Sequence, residues 1–372
     1  MTEAIDRRSF LRRGGVTGIG LAAAGVGLPT LLSACGSSGT KTSTPAPAGG
    51  ASTGGAKPGS LGSISVQLSW IENAEFSGEY IAETKGYYTD AGFKSVNLLS
   101  GGANVAQDSV VAAGKAFIGV SSPDITGPAV LNGAPLVIVA AQYQKNPFAI
   151  MSLAKSPLLD PKDMIGKSVG VQSTNLSVWY SFLKANGIAK TAVKIYPAQF
   201  DPSPLAEGKC DGWFSFITNE PIELAAQGVK THTFLLNDYN YPLVSESYMV
   251  QKSTLASTSG RAQLKGFLTA EIRGWRDSLK DPSEGPTLSV DHFGANLGNK
   301  IPEQTEESVA QNKLILTPRT ATEGILTISP QQVAQNIATL AIAGNKLTPA
   351  LFDTSIIDEI YSEQPALKAS PV

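Results

Sequence analysis

From Leu61 onward, short apolar runs bounded by turn residues alternate with stretches in which apolar side chains return every three or four positions. The short runs predict strands over 64–70, 95–99, 117–121 and 135–142. Between the first two, Phe76, Tyr80, Ile81, Thr84 and Tyr87 recur at helical spacing, and 104–112 forms a second helical stretch ahead of Gly114. This is the rhythm of β-α-β units. A second series predicts strands over 149–153, 168–171, 193–196, 211–216 and 233–236, with a helix over 176–186 closed by Gly187. After an apolar run at 248–250 the pattern turns helical over 255–278, 303–315 and 329–343. The last helix has clear edges. Ser329 is placed to cap it, Pro330 suits its first turn, Gln332 completes a capping box, and Val333, Ile337 and Leu340 share one face. No internal repeat is evident. Two sheet-containing lobes and a helical return predict an α/β protein whose chain crosses twice between lobes, with a ligand cleft between them.

The N-terminal 60 residues follow other rules. Four arginines between Asp6 and Arg13 precede a weakly apolar, Gly/Ala-rich run from Val16 to Leu32, too short for a stable membrane span. Arg-Arg-x-Phe-Leu resembles a twin-arginine export signal, and Leu32-Ser33-Ala34-Cys35 resembles a bacterial lipobox whose cysteine becomes the lipidated first residue. Residues 1–34 are therefore expected to be removed, Cys35 to be the lipidation site, and the protein to sit outside the cytoplasm on a membrane anchor. Residues 36–60 contain no large apolar side chain and read as a tether, spanning about 25 to 30 Å as a Gly/Ser-like coil.

Composition narrows the function. Twenty-nine basic and 31 acidic residues give a net charge of −2 over 372 residues, which becomes −4 once residues 1–34, with four arginines against two acids, are removed. No basic field exists to hold a nucleic acid, so none is expected as a partner. The two cysteines, Cys35 and Cys210, support neither a disulfide framework nor a zinc site, and with only His232 and His292 present no metal centre or other cofactor is expected.

The run Leu68-Ser69-Trp70-Ile71-Glu72-Asn73-Ala74-Glu75-Phe76-Ser77-Gly78-Glu79-Tyr80, then Gly86-Tyr87-Tyr88 and Ala91-Gly92, resembles the opening of the thiamine-pyrimidine, riboflavin, sulfonate and nitrate solute-binding proteins. Gly101-Gly102, the segment 114–120, Ile165 to Val171 and Gly208 to Glu220 support it, so that the resemblance spans 64 to about 250. It implies a periplasmic-binding-protein type II fold: lobe 1 from 61–146 plus 244–372, lobe 2 from 147–243, two crossovers, and a cleft. It also implies a monomeric lipoprotein that delivers a small molecule to the permease of an ABC transporter.

The residues at the strand ends are the candidate ligand set. Trp70 would lie at a strand's carboxyl end, where α/β sites open, with Asn73 capping the helix that begins near Glu75. A parallel arrangement recurs where the strand 211–216 carries Trp213 and is followed by Asn219, Glu220 and Pro221. Ser121 ends the strand 117–121, and Gln172, Ser173 and Thr174 follow another strand toward the cleft. In the family reading, Trp70 and Trp213 would clamp a flat ring while Glu75 and Glu220 accept its N–H groups. Carboxylates repel anions, so a neutral or cationic amino-heterocycle such as a thiamine-pyrimidine precursor or a flavin fits better than a sulfonate, taurine or nitrate. Lys145, at the first crossover, is the main counter-indication. Fungal thiamine-pyrimidine synthases resemble these binders too, but they use pyridoxal phosphate, a sacrificial histidine and a cysteine-rich iron motif. His232, His292 and Cys210 fall outside such motifs, and no catalytic residue is assigned.

Overall fold

The computed structural model describes residues 57–372. The export signal, the lipidation site Cys35 and the tether up to residue 56 lie outside the described residues.

Among the described residues ten strands form two five-stranded sheets. The first contains β1 (Gly62–Gln67), β2 (Phe93–Leu99), β3 (Ile118–Ser121) and β4 (Leu136–Tyr143), the second β5 (Phe148–Leu153), β6 (Ser168–Gln172), β7 (Lys194–Ala198), β8 (Gly212–Phe216) and β9 (Thr231–Leu235), and β10 (Ser245–Gln251) returns to the first. The spatial orders are β2-β1-β3-β10-β4 and β7-β6-β8-β5-β9. In each sheet four strands share one direction, and the single antiparallel strand set between two of them is the one delivered by a crossover: β10 in the first sheet, β5 in the second. Two α/β lobes joined by two crossovers are thus observed, at 143–148 and 235–245, as the alternation of apolar runs predicted.

Burial explains the details. The helix Thr258–Lys280 turns Leu264, Phe267, Leu268, Ile272 and Trp275 into the core of the first sheet, where they meet Ile64, Val66, Tyr80 and Tyr248. β4 lies at a sheet edge yet all eight of its residues are buried. The C-terminal segment covers that edge: Phe352 bridges Ile138, Asp353 N donates to Ile138 O at 2.8 Å, and Ala141 N donates to Leu326 O at 3.1 Å. The capping box of Ser329 and Gln332 forms as predicted, and the helix it starts, Pro330–Ile342, packs on helices from both halves, Pro123–Leu131 and Leu176–Ala185.

Among the helices that escape the periodicity argument, two show why. Pro123–Leu131 contains Gly127 and Pro128, which disfavour a helix interior, but it buries Pro123, Asp124, Thr126 and Gly127, so packing overrides propensity. Ser355–Glu363, near the end of the chain, buries Ile356, Ile357, Ile360 and Tyr361. Among the described residues no helix is long and apolar enough to cross a membrane.

Candidate functional site

A cavity lies where the carboxyl ends of β1, β3, β6 and β8 face one another. β1 stops at Gln67, and the chain continues through Ser69 and Trp70 as a loop rather than as the strand predicted to run to residue 70. Gly101 makes that path available. Its N–H donates to Trp70 O at 2.8 Å, and a side chain there would strike the backbone of Leu68, Ser69 and Trp70. Trp70, half-buried, forms one wall of the cavity, and Phe148, Phe214 and Phe216 of the second sheet form the other. Phe148 stands 4.6 Å from Phe216 and 4.8 Å from Phe214, centroid to centroid, so this wall is a continuous aromatic surface.

Three glutamates reach the cavity, and among the described residues no Lys, Arg or His lines it. Glu75 and Glu246 are joined through Ser69, whose Oγ lies 2.9 Å from Glu75 Oε1 and 2.8 Å from Glu246 Oε2. Two such contacts need two hydrogens and the hydroxyl has one, so one of the carboxyls supplies the other. Burial raises both carboxyls, Glu75 to about 7 and Glu246 well above its ordinary range, with their mutual repulsion adding to the rise in Glu246. Glu246 also sits in the left-handed region, at φ +43°, a strained setting for a residue other than glycine. Glu220, at the start of the helix Glu220–Ala226, accepts the N–H of Phe216 at 2.9 Å, yet burial still lifts it to about 8. Behind them Glu79, raised to about 7, accepts a hydrogen bond from Tyr248 at 2.8 Å. Ser245 lines the cavity with its hydroxyl buried and without a protein partner.

Of the predicted ligand set, Trp70, Glu75, Ser121, Gln172, Asn219 and Glu220 line the cavity together. Gln172 is held there by its Nε2, which donates to Phe214 O at 3.1 Å, and by Asn175, which donates to its Oε1 at 3.2 Å. Four predicted residues lie elsewhere. Trp213 is fully buried with Met151, Leu205 and Leu224, its indole against Gly170, because the pleat of β8 sends 213 to the opposite face from Phe214 and Phe216. The tryptophan clamp is therefore corrected: Trp70 faces phenylalanines, not Trp213. Asn73 caps as predicted, accepting from Glu75 N at 3.2 Å, but its amide turns away to donate to buried Glu307 at 3.0 Å. Ser173 and Thr174 both donate to Ala103 O, at 2.8 and 3.4 Å, and so tie the two lobes together at the rim rather than lining the cavity. Lys145 is absent from the lining and pairs with Asp238 at 3.1 Å. His232, His292 and Cys210 do not line it either.

Sequence reasoning missed Glu246, Ser69, Ser122 and the phenylalanines. A signal existed for two of these groups. Glu246 is a lone acid inside the apolar run Tyr248 to Val250 extended backward, and Phe214 and Phe216 stand at period two, out of phase with Trp213.

The profile of the family described as NMT1/THI5 like matches residues 73–285. A riboflavin-binding protein, RibY, of Chloroflexus aurantiacus is 27% identical over 274 residues, covering 72% of this chain and 76% of that protein. A formylaminopyrimidine-binding protein of Halalkalibacterium halodurans is 23% identical over 255 residues, covering 67% and 76%. Among solved structures, the periplasmic aliphatic sulphonate binding protein SsuA from Escherichia coli superposes with a TM-score of 0.56 at 14% identity, over 79% of this chain and 91% of that one. The fold is that of the SsuA-type periplasmic binding proteins, and the chain belongs to the NMT1/THI5-like family.

Proposed function

We propose that this protein is the extracytoplasmic solute-binding component of an ABC importer, and that it captures a small flat heterocycle rich in N–H donors, of the aminopyrimidine or flavin kind, without altering it. One observation carries the reading: three buried glutamates and an aromatic wall meet in a cavity that no basic residue lines. Such a lining accepts hydrogen bonds and stacks on a ring, and it offers a sulfonate or a nitrate no cationic partner. Trp70 and Phe216 are the proposed ring contacts, and Glu75, Glu220 and Glu246 the acceptors. Two sequence relatives, named for binding riboflavin and formylaminopyrimidine, support the same class of ligand. Lobes hinged near 146 and 244, with the Ser173 and Thr174 contacts at the rim, would close over it as a monomer.

The test is calorimetry of the purified protein against aminopyrimidines, thiamine, riboflavin, taurine and nitrate. Submicromolar binding of one of the first three, recovered unchanged by mass spectrometry, is expected. Tight binding of taurine or nitrate overturns the ligand class, and chemical conversion of the ligand overturns the binding role. Anchoring through Cys35 is proposed with it. Intact mass after expression should show a lipidated N-terminus at Cys35, and Cys35→Ala should release the protein from membranes.

A further inference from the structure

We infer that Asp108 and Asp124, neither of which lines the cavity, make the site selective for hydrogen-bond donors by fixing the hydroxyls of Ser121 and Ser122 with their lone pairs toward the ligand. The inference rests on the solute-binding reading and deepens it, from a cavity that accepts hydrogen bonds to a mechanism that excludes acceptors.

Ser121 ends β3 and Ser122 follows it, both are buried, and both line the cavity. Ser121 Oγ donates to Asp108 Oδ2 at 2.7 Å, and Ser122 Oγ donates to Asp124 Oδ1. A hydroxyl has one hydrogen and two lone pairs. Once the hydrogen is committed to a carboxylate on the protein side, only lone pairs remain for a ligand. Ser69 is in the same condition, because its hydrogen is taken up by the Glu75 and Glu246 pair. Three cavity hydroxyls thus act as acceptors, each set by a buried acid.

The acids are costly placements. Asp108 and Asp124 are buried, and neither forms an ion pair among the described residues. Tyr241 and Ser122 face Asp124, Thr126 and Ser121 face Asp108, and the two aspartates repel each other. Packing alone would be served better by apolar side chains, so an unpaired buried acid behind each of two adjacent cavity serines marks a functional demand. A ligand oxygen or ring nitrogen facing these serines would meet lone pair against lone pair, whereas an N–H or O–H finds an acceptor already turned to it. The amides of Gln107, Asn175 and Asn219 and the free hydroxyl of Ser245 remain able to serve either kind of group.

Two experiments separate this inference from the reading beneath it. The first needs no ligand: carboxyl ¹³C NMR titration of Asp108 and Asp124 in the wild type, Ser121→Ala and Ser122→Ala. A serine that donates stabilises the carboxylate, so its removal should raise the midpoint of its own aspartate by about 1 pH unit and leave the other nearly unmoved. A fall shows that the serine accepts instead and overturns the inference. The second is calorimetry with a matched pair of probes, 4-amino-2-methylpyrimidine and 4-methoxy-2-methylpyrimidine. The wild type should prefer the amine by about 100-fold, and Asp108→Leu or Asp124→Leu should narrow that preference about 10-fold with the melting temperature maintained. Asp108→Asn and Asp124→Asn keep an acceptor oxygen and should retain it, which also covers a leucine variant that fails to fold. A preference unchanged in the leucine variants refutes the selectivity role. Binding of neither probe by the wild type refutes the ligand class proposed above, while the titration still judges the hydroxyl orientation.

Discussion

The segment 70–75 brings Trp70 and Glu75 to the cavity and turns Asn73 away, whereas the segment 213–220 brings Asn219 and Glu220 to it and buries Trp213. Both segments carry an aromatic, an amide and an acid near a strand end, in the same order. The difference lies in where each strand stops. Trp70 stands beyond β1, in a loop whose path is set by Gly101, so its ring is free to face the opposite lobe. Trp213 is the second residue of β8, paired in register with Gly170 of β6 and Met151 of β5, and the pleat dictates its face. A residue inside a strand answers to parity, and one past its end answers to the loop.

Substitutions can break that contrast, and the largest effect should come from the tryptophans. Trp213→Ala empties a filled core and should cost about 3 to 5 kcal/mol, lowering Tm by about 6 to 15 °C. Trp70→Ala should leave Tm nearly unchanged and weaken ligand binding about 5- to 50-fold, since it removes a stacking wall. Thermal melts and calorimetry on both variants check this, and equal losses of stability would erase the distinction.

The two acids should behave alike where the tryptophans differ. Glu220→Gln replaces a carboxyl oxygen that faces the ligand by an amide and should weaken binding about 10- to 100-fold, with Glu75→Gln falling in the same range. Calorimetry that finds full affinity in Glu220→Gln would confine recognition to the first lobe.

A third test uses pH. Glu75 and Glu79, raised to about 7, and Glu220, raised to about 8, hold protons more tightly in the folded than in the unfolded state. Their contribution to stability is full below the usual carboxylate range and is lost as pH rises through 7 to 8. The ligand-free protein should therefore melt about 5 °C higher at pH 5.5 than at pH 8, and Glu220→Gln should flatten that slope. A Tm that climbs with pH in this window would contradict the raised carboxyls.

The smallest effect is expected at the crossover. Lys145 and Asp238 are both exposed, so Lys145→Ala should change stability by less than about 1 kcal/mol and leave ligand affinity intact. A large loss of affinity, measured by calorimetry, would return Lys145 to the site and reopen the case for an anion.

Hydrophobic periodicity alone determined the number of the strands and their places along the chain, the two crossovers and the capped helix at 330, because each depends on local spacing or on a few adjacent residues. Strand-end chemistry also picked out Trp70, Glu75, Ser121, Gln172, Asn219 and Glu220, which line one cavity. Only the tertiary structure decided the rest. It decided that Trp213 packs on Gly170, since a one-residue change of phase moves a ring through a sheet. It decided that Ser173 and Thr174 close the rim, since that requires Ala103, some 70 residues away, as a partner. It also gathered Glu75, Glu246 and Ser69, whose hydrogen bonds span up to 177 positions, into one proton-sharing group. Spacing along a chain carries no record of such contacts, because they arise where two separately folded sheets meet.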